Sequence, residues 1–258
     1  MTPFMKKARR RIAGWIAPEL EAELRATRRK LKKARAHDLP ESVETAIKAV
    51  RTEHLTYLKP ENLRELAGAV LDVEKQGLEG LVIEAGTARG GSAIVMAAAK
   101  APERPMKVYD VFGMIPPPGE RDGEDVHARY EKITSGAARG PGGDTYYGYR
   151  DDLYGEVTES FRRLGVPTDE RNVELIQGLF EDTIRLDEPV ALAHLDGDWY
   201  ESTMTCLTRI APLLVPGGRI VLDDYYHWSG CRRAVDEYFQ DRDGYRLQHG
   251  TRLHVVRT

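Results

Sequence analysis

The sequence predicts an α/β fold: a doubly wound, mostly parallel seven-stranded sheet with helices on both faces, preceded by N-terminal helices. Three features point that way. From Gly80 onward, short apolar runs alternate with stretches of helical spacing, the order expected of a parallel sheet wrapped by helices. The first of these runs ends in a glycine-rich turn, IEAGTARGGS (Ile83 to Ser92), where a doubly wound fold places its ligand. With 258 residues, 41% hydrophobic and 31% charged, the chain suits one large domain, and its apolar runs are too short to span a membrane.

Taken in order, Pro3 to Arg35 reads as helical, with Ile16, Leu20, Leu24 and Leu31 near one face and Pro18 dividing a short helix from a longer one. Residues 1–58 are expected to form a basic helical arm, and residues 59–258 the main domain. The arm's apolar stripe would stay wet in a monomer, so a homo-oligomer is expected; a peripheral contact with an anionic membrane is the lesser alternative. Pro60 to Gly77 is a second helical stretch, with Pro60 in its first turn and Leu63, Leu66, Ala67, Val70 and Val73 at helical spacing. GLVIEAG then reads as a buried strand, GGSAIVMAAAKA as a helix and MKVYDVF as a second strand. DDLYGEVTESFRRLG is a helix; NVELIQGLF and PVALAHLD are the third and fourth strands. STMTCLTRIAPLL is a helix, GRIVLDD the fifth strand and SGCRRAVDEYFQD a helix. YRLQHGT and RLHVVRT close the chain as an antiparallel pair. Between the second strand and its helix lie residues 113–150, rich in Pro, Gly and charge. A loop of that length in a compact domain is a lid or is disordered, and Tyr146, Tyr147 and Tyr149 favour a lid.

Composition excludes several classes. Residues 1–36 hold twelve Lys and Arg against three Glu, so with a net charge of −3 the remaining chain carries about −12. That balance argues against nucleic-acid binding by the main domain. The two cysteines, Cys206 and Cys231, make neither a disulfide framework nor a thiolate metal site. The basic start lacks the apolar core of a secretory signal, so a cytoplasmic protein is expected.

The glycine turn is not the dinucleotide fingerprint, because Ala88 stands where the second glycine belongs, and no Gly-Lys-Ser/Thr marks a phosphate loop. Gly86 permits a tight turn, and Gly90 and Gly91 allow close approach at the helix start. Glu84 suits a cationic ligand such as the amino-acid end of S-adenosylmethionine. Asp110, ending the second strand, is placed to accept from both ribose hydroxyls. In QGLF, Gly178 allows close backbone approach, and Leu179 and Phe180 would wall an adenine. A purely structural glycine turn is the plainer reading of the first motif alone.

The fourth and fifth strands end in LDGD and LDD. A single connecting helix makes them neighbours by right-handed crossover, which brings Asp196, Asp223 and Asp224 together beside the ligand crevice. Crowded carboxylates need a positive partner, and oxygen-only ligation suits Mg²⁺, Ca²⁺ or Mn²⁺. A lone Asp at a strand end more simply caps the next helix, as Asp198 could. Trp199 and Tyr200 either wall the site or pack in the core. His194, inside a strand, reads as a packed core histidine, and His227 as an acceptor contact or a surface loop residue.

IEAGTARGGS, VYDVF, QGLFEDT, LDGDWYESTM and PGGRIVLDDYYHWSGCRRAVDEY together resemble the macrocin O-methyltransferase (TylF-type) family. The likeness covers about residues 62–238. It implies a class I, Rossmann-like methyltransferase that uses S-adenosylmethionine and Mg²⁺ to methylate a sugar hydroxyl of a glycoside or oligosaccharide. By match of motif, the metal ligands would be Asp196, Asp223 and Asp224, and the general base Asp198. Cofactor contacts would fall on Glu84, Gly86, Thr87, Arg89, Gly90, Gly91, Ser92 and Asp110, with Gly178 and Phe180 beyond. Tyr200, Tyr226 and His227 are candidate acceptor contacts. Ala88 and Val111 depart from the family pattern, which has Trp and Ser there. Catechol O-methyltransferases share the three-carboxylate site but use a lysine base, where this chain has Asp-Gly-Asp. A non-catalytic nucleotide-sugar-binding module is the other alternative.

Overall fold

A computed structural model describes residues 39–258; the helical stretch expected from Pro3 to Arg35 lies outside the described residues. In chain order come α1 (Glu41–Thr52), α2 (Pro60–Lys75), β1 (Leu81–Ala85), α3 (Gly91–Ala99), β2 (Met106–Asp110), α4 (Glu124–Thr134) and α5 (Leu153–Arg163). There follow β3 (Val173–Gln177), the single turn α6 (Phe180–Thr183), β4 (Val190–Leu195), α7 (Tyr200–Ile210), β5 (Leu214–Leu222), α8 (Ser229–Phe239), β6 (Tyr245–His249) and β7 (Leu253–Arg257). The seven strands form one sheet in the order β3-β2-β1-β4-β5-β7-β6. Strands β1 to β5 run parallel, and β7 is antiparallel to both β5 and β6. The closing hairpin and the β4–β5 pairing are those the sequence predicts.

Alternation along the strands feeds two cores. Val82, Leu192 and Val221 face one side, packed with Val43, Ile47, Leu66, Ile94 and Phe161 from α1, α2, α3 and α5. Leu81, Ile83, Leu195 and Ile220 face the other, packed with Leu207, Ile210 and Val235 from α7 and α8.

The boundary expected between residues 58 and 59 is corrected by this packing. Val43, Ala46, Ile47 and Val50 of α1 are buried, as are Leu55 and Leu58 after it, so residues 39–58 belong to the folded domain. Their spacing, i, i+3, i+4 and i+7, is that of one helix face.

Residues 113–150 are not a bare loop. They hold α4, two 3₁₀ turns (Pro141–Gly143 and Tyr147–Tyr149) and a small core of Ile115, Val126, Ile133, Ala138 and Tyr146 packed on Trp199. Three aspartates are among the side chains that fasten this cap to the domain. Asp122 accepts from the Tyr200 amide at the start of α7 (2.9 Å), and Asp125 from the Ser229 amide at the start of α8 (3.0 Å). Helix starts leave amides without partners, so each carboxylate satisfies an otherwise open donor and meets the positive end of a helix dipole. Asp144 pairs with Arg89 of the glycine turn at 3.1 Å.

Candidate active site

The carboxyl ends of β1, β2, β4 and β5 open into a cavity of about 390 Å³ roofed by the cap. Gly86, Asp110, Asp196, Asp198, Asp223 and Asp224 form its floor. A second space of about 150 Å³ continues from Gly86 and Asp110 toward Leu179 and Phe180. Gly86, Asp110, Asp196 and Asp198 are among the residues the two spaces share, as are Ile115, Tyr147 and Trp199.

Gly86 sits at φ 89°, and a Cβ there would overlap the carbonyl oxygen of Asp196. The turn therefore closes directly on the β4 end, and no other residue fits. Gly91 is required for a different reason than expected. A Cβ on it would come within 2.6 Å of the Leu55 carbonyl oxygen, so it admits the segment after α1 rather than a ligand. Gly90 likewise faces Val157 of α5.

Asp110 lines both spaces, but its oxygens are engaged. Thr87 and Ala88 donate their amides to Oδ2 at 2.7 and 3.0 Å, and the Phe112 amide donates to Oδ1 at 2.7 Å. It shapes the glycine turn before it can meet a ribose. Burial pushes its carboxyl up while these three amides pull the other way. Gly178, at φ 145°, turns the chain so that Leu179 and Phe180 reach the smaller space.

Glu84 is not the free carboxylate the sequence suggested. Strand alternation aims it with Val82 toward α3, where it is fully buried and Ser92 Oγ donates to its Oε1. His194, its neighbour in the β1–β4 register, places Nδ1 3.4 Å from the same oxygen, and Glu84 Oε2 has no partner among the described residues. Two further expectations change. Tyr200 is buried with its hydroxyl donating to Glu237 (2.8 Å), and Tyr226 lies exposed against His249 (2.8 Å). Neither lines the larger cavity; His227 does. Arg89 is held by Asp144 and the His54 carbonyl instead of facing it.

The four aspartates do come together, in an arrangement the sequence did not show. Oxygens of Asp196, Asp198 and Asp224 lie within 4.8 Å of one another. Asp223 stands aside because Arg252, at the turn between β6 and β7, binds it with both Nε and Nη2, the latter at 3.0 Å. Burial and mutual repulsion push Asp196 and Asp224 well above the usual carboxylate range, and burial raises Asp198 to about 7. Burial also acts on Asp223, but His194 and Arg252 outweigh it and hold its carboxyl low. Asp198 takes φ 57°, left-handed for a residue with a side chain, and accepts from Trp228 Nε1 at 2.8 Å. Sequence reasoning missed Arg252, Arg129, Tyr57 and Trp228 as wall residues. Only the aromatic run at Tyr146 and Tyr147 announced the roof.

Sheet order, glycine turn and strand-end acids together define a class I methyltransferase. The O-methyltransferase NovP superposes with a TM-score of 0.64 at 27% identity, over 82% of this chain and 88% of that one. The calicheamicin methyltransferase CalS11 shares the fold, with a TM-score of 0.55 at 18% identity over 86% and 94% of the two chains. The macrocin-O-methyltransferase (TylF) family model matches residues 17–246, and the chain belongs to that family. Among its relatives, the mycinamicin III 3''-O-methyltransferase of Micromonospora griseorubida is 31% identical over 198 residues, 73% of this chain and 71% of that protein. The demethyldecarbamoylnovobiocin O-methyltransferase of Streptomyces niveus is 32% identical over 184 residues, 69% of this chain but 64% of that protein, just under two thirds of its length.

Proposed function

We propose that the protein methylates a hydroxyl of a sugar-bearing acceptor, using S-adenosylmethionine as donor and a divalent cation, Mg²⁺, held by the aspartate cluster. The observation that carries the reading is the shared floor: the glycine turn and the crowded aspartates border one cavity. Relatives named for glycosylated acceptors support the substrate class. Three carboxylates within 4.8 Å, all forced toward the protonated form, fit a hard dication that takes only oxygen ligands. Asp196 and Asp224 would hold it, and Asp223 can join, as the motif match implies, once Arg252 releases an oxygen. When bound, S-adenosylmethionine supplies an electrophilic methyl group, and Mg²⁺ a Lewis acid for the acceptor oxygen.

The chain's own residues do the rest. Leu179 and Phe180 offer an apolar slot for the purine. Trp199, Trp228, Tyr146 and Tyr147 wall the acceptor side and exclude water. Asp198 accepts the hydroxyl proton as the C–O bond forms and the methyl–sulfur bond breaks. In the cation-free site burial raises this carboxylate to about 7, and a bound dication would lower it again, so it takes the proton only as the C–O bond forms. The test is release of S-adenosylhomocysteine over a panel of glycosides with vicinal hydroxyls and of catechols, with and without excess EDTA. Glycoside turnover that stops in EDTA is expected. Turnover confined to catechols overturns the acceptor class, and undiminished turnover in EDTA overturns the cation.

A cytoplasmic setting goes with this reading and is supported by two free, buried thiols, Cys206 and Cys231. No helix among the described residues is long and apolar enough to cross a membrane. The apolar stripe in the N-terminal sequence supports a homo-oligomer, so light scattering should report a multiple of the chain mass at every concentration tested. A monomer mass would refute it.

A further inference from the structure

Two arginines line the larger cavity, and their circumstances differ. Arg252 is neutralised by its paired bonds to Asp223. Arg129, on α4, has no carboxylate within ion-pair distance among the described residues; it stacks on the face of Tyr146, 5.6 Å from guanidinium to ring centre, and its charge reaches Asp198 only through space. The acid one turn before it, Asp125, is placed to pair with it as an i, i+4 neighbour. That acid is already taken by the amide and hydroxyl of Ser229. Arg129 is half-buried, and Tyr146 is buried behind it. A guanidinium kept on an aromatic face, partly out of water and facing a cavity, retains its hydrogen-bond fork for whatever enters.

We propose that Arg129 is a specificity-determining residue that selects an acceptor carrying an anionic group, a carboxylate or a phosphate ester, beside the sugar. The proposal rests on the sugar O-methyltransferase reading and narrows its substrate class. The aromatic walls, Tyr57, Tyr146, Trp199 and Trp228, supply flat apolar faces for a sugar ring. They contribute no charge with which to tell one glycoside from another. Arg129 does, because a planar fork binds a carboxylate or phosphate in two parallel bonds that a hydroxyl cannot reproduce. Arg129 comes from the cap and the aspartates from the strand ends, and both line one cavity, so the anion is drawn to the cap side of the acceptor while its hydroxyl meets the aspartates.

The test is calorimetry on the full-length protein with S-adenosylhomocysteine and Mg²⁺ present. The probes are p-nitrophenyl β-D-glucuronide against p-nitrophenyl β-D-glucoside, and glucose 1-phosphate against methyl glucoside. In the wild type one charged probe should bind about tenfold or more tighter than its neutral counterpart, the gain of a charge-assisted contact; which pair discriminates identifies the anion. Arg129→Met should erase that preference while leaving neutral-probe and S-adenosylhomocysteine affinities unchanged, and Arg129→Lys should restore part of it. Equal affinities within both pairs, or a Met variant that weakens charged and neutral probes alike, overturn the proposal and leave the methyltransferase reading standing. Absence of S-adenosylhomocysteine binding in the wild type overturns that reading, and the proposal with it.

Discussion

Asp198→Asn is expected to lower kcat by about 10²–10⁴-fold, the usual contribution of a positioned general base, while S-adenosylhomocysteine binds as before. Asparagine is the informative replacement. Asp198 has φ 57°, and asparagine tolerates the left-handed region far better than most residues. Its side-chain oxygen also preserves the bond from Trp228 Nε1. What disappears is the capacity to take a proton. The pH profile gives a second readout. In the cation-free protein Asp198 titrates near 7, so its base form grows as pH rises through that point. A bound dication stabilises the carboxylate and moves the acid limb of kcat/KM below that value. The asparagine variant should lack the limb altogether. If the variant keeps wild-type kcat, or loses activity only through weaker cation binding that excess Mg²⁺ restores, Asp198 is not the base.

The second large effect concerns stability. Asp196, Asp198 and Asp224 all have folded-state pKa values raised above those of the unfolded chain. The folded state therefore holds more protons between about pH 4 and pH 7, and linkage makes the cation-free protein lose stability as pH rises through that window. Asp223, held low, works in the opposite sense, gaining stability above the unfolded pKa and losing it in acid. The three raised groups outweigh the one. Asp198, raised by burial to about 7, carries this loss up to neutral pH. Because the cluster opens onto a cavity, about 1–2 kcal/mol is the expected net loss. Asp224→Asn should recover about that much at pH 7.5 in EDTA, and lose the rise in Tm that Mg²⁺ gives the wild type. Its side-chain oxygen can still accept the Asp198 amide, which now lies 3.1 Å from Asp224 Oδ2. Calorimetric melts at pH 5 and 7.5, with EDTA or Mg²⁺, check both halves. A variant less stable than wild type at pH 7.5 in EDTA would sink the idea of a repelling cluster.

Much of this was legible in the sequence because it rests on periodicity and on position along strands. Apolar runs of β1 to β5 alternate with helical spacing, and acids at two adjacent strand ends must converge whatever the detail. Side-chain partnership across long separations was not legible. Arg252 reaches Asp223 from a hairpin 29 residues away, and nothing local marks it. Glu84 was read as a ligand contact because it precedes a glycine turn. Its burial follows from the strand face it occupies, and strand phase relative to a cavity is a tertiary property. The helix in the cap is not legible because α4 buries only Val126 and Ile133, too few apolar positions to set up a period. By contrast, the buried face of α1, Val43, Ala46, Ile47 and Val50, follows helical spacing and is legible in the sequence.

The way the cap is fastened has an evolutionary consequence. Asp122 and Asp125 bind helix starts, and Asp144 binds the glycine turn, so these three attachments use backbone amides, the Ser229 hydroxyl and one arginine. Between these moorings the exposed positions of residues 126–143 can therefore drift, while Val126, Ile133 and Ala138 keep the cap packed on Trp199. Such a segment is an exchangeable cassette. Lineages sharing the floor can diversify the glycosides they accept by rewriting the roof, and a graft between relatives would carry acceptor preference with it provided the three acids travel too.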